Sequence, residues 1–248
     1  TLTLSADQTH GFVVARLNDV APDGASTRIA HGVLNLRHRG DPPQALRPGE
    51  TITATLTLDQ MAYRLAPGHR LRLALSNSYW PWIWPSPRPV ALTLAAGTLR
   101  LPVHSGDAPG WQFDAPDPPR PSRLGVLGPA QETRLCCRDA ILGVETLRIT
   151  SDSGETENPD HGLRTRSTMA ETWTIHPDDP ASAACAITWT QAFARGDWSV
   201  ETELSARQSA SAEFLTIEAR LIARIKEGAE PPEIIERNFR AQVARREV

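Results

Sequence analysis

The chain is short of lysine. Lys226 is its one lysine, and arginine supplies the rest of its 26 basic residues, set against 29 acidic ones. The formal charge of −3 excludes the clustered basic excess that grips a phosphate backbone, so no nucleic-acid partner is expected. Cysteine is as sparse: Cys136, Cys137 and Cys185 are too few for a disulfide scaffold. Taken with His161 they lack the paired Cys-x-x-Cys spacing of a zinc site. They read as core residues or free thiols, and neither a metal nor a cofactor is expected. No apolar run approaches the roughly 18 residues of a membrane span, so no membrane partner is expected either. The sequence opens on the alternating Thr1-Leu2-Thr3-Leu4 and not on a charged segment backed by an apolar one, so no signal peptide is visible. With its free cysteines this suggests a cytoplasmic protein, and the opening reads as a piece that starts inside a folded unit.

Motifs that carry chemistry are missing as well. There is no Gly-x-Ser-x-Gly nucleophile elbow. A His-Glu-x-x-His pair, a phosphate-cradling glycine loop and a Gly-x-Gly-x-x-Gly turn are also absent. Ser151-Asp152-Ser153-Gly154 and Asp178-Asp179 read as turns. His10, His31, His38, His69, His104, His161 and His176 fall in strands or beside turns without metal spacing, and read as solvated or hydrogen-bonded rings. No catalytic residue is assigned.

What is present is β-structure. Hydrophobic residues make up 40% of the chain and charged residues 22%, enough for a core. With 21 Pro and 16 Gly, long helices have little room. Residues 12–19, 27–36, 51–58 and 69–76 alternate with the period of half-buried antiparallel strands. Pro22-Asp23-Gly24, Gly40-Asp41-Pro42-Pro43, Pro48-Gly49 and Pro67-Gly68 mark turns between them. Residues 90–94 and 98–103, joined at Ala95-Ala96-Gly97, are expected to close the first half. Short strands at this spacing indicate a sandwich or barrel. Residues 105–123, with Pro109, Pro116, Pro118, Pro119 and Pro121, read as an extended linker. That divides the chain into 1–104, 105–123 and 124–248. In the last part, 163–175, 185–193, 198–206 and 215–225 alternate, and Arg195-Gly196-Asp197 is a hairpin signal. An antiparallel meander with one packed face is expected. Its tail, 231–248, fits a helix stripe or a closing strand, and strand is preferred.

The most unusual stretch is Asn77-Ser78-Tyr79-Trp80-Pro81-Trp82-Ile83-Trp84-Pro85-Ser86-Pro87. Three readings stay open: an aromatic plug over one end of a sandwich, a rigid apolar surface that docks a partner or lines a pocket, and a sugar-stacking platform.

Val14-Ala15-Arg16-Leu17-Asn18-Asp19-Val20-Ala21-Pro22-Asp23-Gly24 resembles the phrase v-r-L-x-D-V-x-P-D-G. Gly32-Val33-Leu34-Asn35-Leu36-Arg37-His38-Arg39 is similar to G-x-L-x-x-R-x-R. Leu46-Arg47-Pro48-Gly49 and Tyr63-Arg64-Leu65-Ala66-Pro67-Gly68-His69-Arg70-Leu71-Arg72-Leu73 resemble L-x-P-G and F-x-x-G-H-R-I-R-l. Together, over residues 11–78 and less strongly to 103, these resemble the C-terminal jelly-roll domain of the Xaa-Pro dipeptidyl-peptidase, cocaine esterase and α-amino acid ester hydrolase family. The second half carries no such signature.

The resemblance implies an all-β chain. It would be a jelly-roll (galactose-binding-like) β-sandwich, missing its first strands, followed by the meander. Family members are serine hydrolases whose triad lies in an upstream α/β-hydrolase domain, which would be the partner of this chain. The jelly roll would pack on that domain and help wall its cleft. Tyr79, Trp80, Trp82 and Trp84 are the candidates for that contact, with Arg37, Arg39, Arg70 and Arg72 as polar contacts. The bland alternative for the arginines is cross-strand charge pairing. An open edge at Leu2–Ser5 would invite pairing with a second copy. The other readings are a carbohydrate-binding or partner-binding module without enzymatic role, and an assembly role for the meander.

Overall fold

The computed structural model describes residues 1–248 apart from 105, 107–109, 111–112, 119–122 and 246–248, and it is all-β. The first half contains β1 (Leu2–Ala6), β2 (Phe12–Val20), β3 (Ser26–Asn35), a 3₁₀ turn (Leu36–His38), β4 (Ile52–Ala54), β5 (Arg70–Ser76) and β6 (Leu92–Gly97). The second contains β7 (Gly125–Gly128), β8 (Gln131–Arg138), β9 (Glu145–Asn158), β10 (Leu163–His176), β11 (Asp179–Arg195), β12 (Trp198–Ala210), β13 (Phe214–Glu227) and β14 (Glu233–Ala244). Among the described residues no helix is long and apolar enough to cross a membrane.

Two three-stranded antiparallel sheets, ordered β4-β1-β6 and β3-β2-β5, make the sandwich. Alternation in β1 turns Leu2, Leu4 and Ala6 inward. They form one core with Val13, Leu36, Leu46 and Ala54, and Leu34, Leu75, Val90 and Leu92 pack against it. Each leucine so buried contributes roughly 2 kcal/mol.

Three expectations are corrected here. Leu2–Ser5 is not an edge. Leu4 pairs with Ile52 on one side and with Leu94 on the other, so this backbone has nothing left to offer a second copy. Alternation marks a strand but not its neighbours, and β4 and β6 arrive from far along the chain. The strand expected over 51–58 ends at Ala54, because the chain then changes sheets. Asp59 N donates to His31 O at 2.8 Å, and the Thr57 carbonyl lies where a Cβ on Gly32 would stand. Finally, Ala95-Ala96-Gly97 is not a turn. It is the end of β6, where small residues let Leu2 pack close, and residues 99–103 form no strand.

The second half is the expected meander, in the order β14-β13-β12-β11-β10-β9-β7, with β8 also on β9. The tail is a strand as far as Ala244. Arg195 pairs with Trp198 across Gly196 (φ +59°) and Asp197, a two-residue hairpin with glycine first. The Asp152–Gly154 turn signal is real chemistry in an unexpected place. Asp152 Oδ1 accepts from Gly154 N at 2.9 Å, and Gly154 has φ +71°. Yet this is a bulge inside β9, opposite a register shift between Arg166 and Thr168. Pro109, Pro119 and Pro121 of the expected linker lie outside the described residues.

Register divides the meander into two faces. Trp198, Val200 and Leu204 of β12 share one with Trp189 and Phe193 of β11 and Leu221 and Ile225 of β13. The other carries a ladder of exposed ion pairs. Arg166–Asp152 stand at 2.6 Å, Arg224–Glu201 at 3.0 Å and Arg220–Glu236 at 2.8 Å, and solvent screening leaves such pairs little weight in stability. Trp189 (42%) and Phe239 (57%) stay exposed on the apolar face. The chain exposes 17,214 Å², where a compact monomer of its mass would expose roughly 10,900 Å².

Candidate functional site

The aromatic loop 79–87 has two faces. Ile83 N donates to Tyr79 O at 2.9 Å, closing a helix-like turn. In such a turn residues three or four apart share a side, which separates Tyr79 and Trp82 from Trp80 and Trp84. The second pair faces the meander: Trp80 packs edge-on against Trp84 (5.0 Å between centroids) and against Trp173 of β10 (5.6 Å). Next to them Arg245, just after β14, donates to the Pro85 carbonyl and, at 2.9 Å, to the Ser211 carbonyl. This side of the loop joins the sandwich to the meander.

Tyr79 and Trp82 face the other way. Their rings stack at 6.4 Å, and Trp82 is 63% exposed. The β3-β2-β5 sheet supplies cations beneath them. His31, Arg16 and Ala74 form one row across it; Arg28, Asn18 and Arg72 form the next. Arg28 reaches this face because Ile29 is the extra residue of a β-bulge between Ala30 and Arg28. The Arg16 guanidinium lies 5.1 Å from the Tyr79 ring and that of Arg28 lies 5.1 Å from the Trp82 ring. Cation–π contacts of this kind contribute about 0.5–1 kcal/mol each at exposed sites. Arg28 also donates to the Tyr79 hydroxyl, and His31 is paired with Asp59. The result is an exposed indole fixed on a cationic platform.

The eight candidates therefore fall into separate groups. Tyr79 and Trp82 lie on the platform, and Arg72 and Arg70 extend it along β5, facing Asn18 and Val20 in register. Among the described residues neither Arg70 nor Arg72 pairs with a carboxylate. Trp80 and Trp84 lie at the join. Arg37 and Arg39 are at the 3₁₀ turn, where Arg39 Nη1 donates to the Leu36 and Gln44 carbonyls at 2.9 Å and braces that loop. Arg16, Arg28, His31 and Trp173 were not expected. Arg16 was legible as an arginine in an apolar strand. Nothing in sequence spacing linked Arg28 or Trp173 to the loop.

Two of the family-like phrases meet at one carboxylate. Asp19, 6% exposed, accepts from the Tyr63 hydroxyl at 2.6 Å and contacts His69 Nδ1 at 2.7 Å. The Tyr63 hydrogen bond, then His69, holds its pKa below the ordinary 3.8. A depressed folded pKa stabilises fully above the ordinary value, and that contribution is lost as pH falls through the depressed one. Asp19→Asn is thus expected to lower Tm at pH 5 by a margin that shrinks as pH falls from about 3.8 through the depressed value; thermal scans of both proteins from pH 5 downward measure it.

His31 and His69 are each oriented by an aspartate, but no serine or cysteine in the described residues bonds to either ring. These pairs offer no nucleophile for acyl transfer. Of the thiols, Cys136 and Cys137 are exposed and Cys185 is buried. Burial, and then Glu171, pushes the Cys185 thiol up to about 11, so it holds little thiolate near neutral pH. A thiol reagent at about pH 8 is expected to label Cys136 and Cys137 in the folded protein and Cys185 only after unfolding, as peptide mass mapping would read.

A family model described as the X-Pro dipeptidyl-peptidase C-terminal non-catalytic domain matches residues 1–125, from before β1 to the start of β7. No curated protein and no solved structure gives a match.

Proposed function

The chain belongs to the X-Pro dipeptidyl-peptidase C-terminal non-catalytic domain family, and from that premise we propose that it serves a serine hydrolase whose α/β-hydrolase domain lies outside it. That domain would cleave an acyl ester or amide through an acyl-enzyme. The sandwich packs on it and its Trp82 face walls the substrate cleft. The observation that carries this is the platform. Trp82 is exposed, yet it is held by Tyr79 and Arg28, and a pre-fixed ring loses little entropy when a partner or substrate covers it. The arginine rows beneath supply charge at the rim. A cytoplasmic location and the division at the proline-rich stretch belong to the same proposal.

The chain by itself is expected to hydrolyse neither p-nitrophenyl acetate nor an Xaa-Pro anilide above buffer, and to take up no fluorophosphonate probe. Turnover that the probe blocks would place a serine nucleophile within these residues and sink the proposal. A second reading, a carbohydrate-binding module, draws on the same exposed indole with Arg28 and the His31–Asp59 pair beside it. It predicts that an oligosaccharide quenches or shifts Trp82 fluorescence saturably; the hydrolase reading predicts no such change.

A further inference from the structure

We propose that the meander pairs with a second copy of this chain along β14, edge to edge and antiparallel, about a two-fold axis at Phe239. The two meanders then form one continuous sheet. The proposal concerns assembly and does not depend on the hydrolase reading.

The edge itself is the first observation. β14 bonds β13 on one side, and among the described residues no strand bonds its other side. β7, where the chain enters the meander, stands at the opposite edge. Just beyond β14 the Arg245 N still donates inward, to Glu213 O at 2.8 Å. Natural edge strands are commonly blunted by shortness, proline or a bulge. β14 has none of these. It runs for 12 residues, Glu233–Ala244, and keeps its register with β13 throughout. A backbone edge of this length is a template for a further strand.

Sequence symmetry selects a second copy as the occupant. Ile235, Phe239 and Val243 lie on the apolar face, beside Ala223, Ala219 and Leu215 of β13. Phe239 is 57% exposed and Val243 53%. Ile235 and Val243 flank Phe239 at equal spacing in the sequence. An antiparallel copy turned about Phe239 therefore sets Ile235 against the partner's Val243 at both ends, and Phe239 against its own counterpart. Arg237 then faces the partner's Ala241, a small residue that leaves the guanidinium room. On the polar face Glu236 meets the partner's Gln242 and Asn238 the partner's Arg240, so no like charges are opposed. Glu236 and Arg240 bring their own counter-ions, Arg220 at 2.8 Å and Glu218 at 3.6 Å. Other registers fit worse. A one-residue slip sets the apolar face of one copy beside the polar face of the other. A two-residue slip puts the axis at Asn238, opposing Phe239 to Arg237 and Val243 to Glu233, or at Arg240, opposing that arginine to itself. A pattern that reads alike in both directions is what an isologous contact requires.

The test uses the full chain. Sedimentation equilibrium at micromolar concentrations is expected to show twice the 27.1 kDa chain mass, and Tm should rise with protein concentration, as mass action requires of a dimer. Phe239→Lys opposes two ammonium groups at the axis. It should weaken association at least tenfold and remove the concentration dependence of Tm, with strand circular dichroism retained. Trp189→Ser, on the same face in β11, should leave association unchanged. A monomeric wild type at those concentrations would overturn the proposal. So would a Trp189→Ser protein that dissociates while Phe239→Lys does not, which would mean face-to-face stacking. Register is read by mild oxidation in a protein with Cys136→Ser and Cys137→Ser, since both native thiols are exposed. Added to it, Phe239→Cys should cross-link, because opposed Cα atoms in a ladder lie about 4.5–5.5 Å apart, within disulfide reach. Arg237→Cys should not, because its two copies would stand about 14 Å apart along the strands. Should Phe239→Lys lose its strands, the cross-link decides, and cross-linking of Arg237→Cys alone would overturn the axis.

Discussion

Replacing Trp80 by alanine is expected to destabilise the chain by about 3 kcal/mol. Trp80 is the ring between two others. Its edge-on contacts with Trp84 and Trp173 are each worth about 0.5–1.5 kcal/mol beyond the area buried, and alanine leaves a void between the sandwich and β10. Trp173→Ala removes the other side of the same contact, so the double variant should cost less than the sum of the singles. Trp82→Ala, by contrast, should change stability by no more than about 0.5 kcal/mol, because that ring is 63% exposed. Urea unfolding followed by circular dichroism, which does not depend on the tryptophans removed, measures all four. Equal losses for Trp80 and Trp82 would mean that the loop does not divide into an inner and an outer face.

The second large effect lies in the sandwich core. Leu36 is 0% exposed, although it sits in the short 3₁₀ turn and not in a strand. Its backbone N donates to Gly11 O at 2.9 Å, and its side chain joins Leu2, Leu4 and Val13. Leu36→Ala is expected to cost about 3–4 kcal/mol, as for other fully buried leucines in well-packed cores. Leu36→Met keeps the volume and should cost less than about 1.5 kcal/mol. Thermal and urea midpoints distinguish the two. A small loss in both would mean that the two three-stranded sheets can close over the gap.

Leu36 also shows how far the sequence could be read. It belongs to a phrase that resembles the family, which placed it in the jelly roll, yet its burial is a tertiary fact. The long strands β10 to β13 were legible because their apolar residues fall on one face with period two. The pairing of β1 was not, since alternation contains no information about the strands that flank it. β9 was hidden by Asp152 and Gly154, whose turn chemistry makes a bulge inside the strand. β7 is short and β8 opens on polar residues, so neither announced itself. In the candidate site, composition identified the aromatic loop, but its two faces depend on the turn closed by Ile83 and Tyr79. The spacing of 79 with 82, and of 80 with 84, held that signal. The motif resemblance placed Asp19, Tyr63 and His69 in the family phrases, and only the structure shows that they meet.

The central claim is that the outer face of the loop contributes to a hydrolase cleft while the inner face holds the two halves together. The most direct measurement is steady-state kinetics on an Xaa-Pro anilide in the protein that carries the catalytic domain, comparing wild type with Trp82→Ala. The account predicts that KM rises roughly tenfold, corresponding to about 1.4 kcal/mol of lost binding, with kcat and Tm nearly unchanged. An unchanged KM would contradict it and leave the Trp82 platform without a part in the reaction.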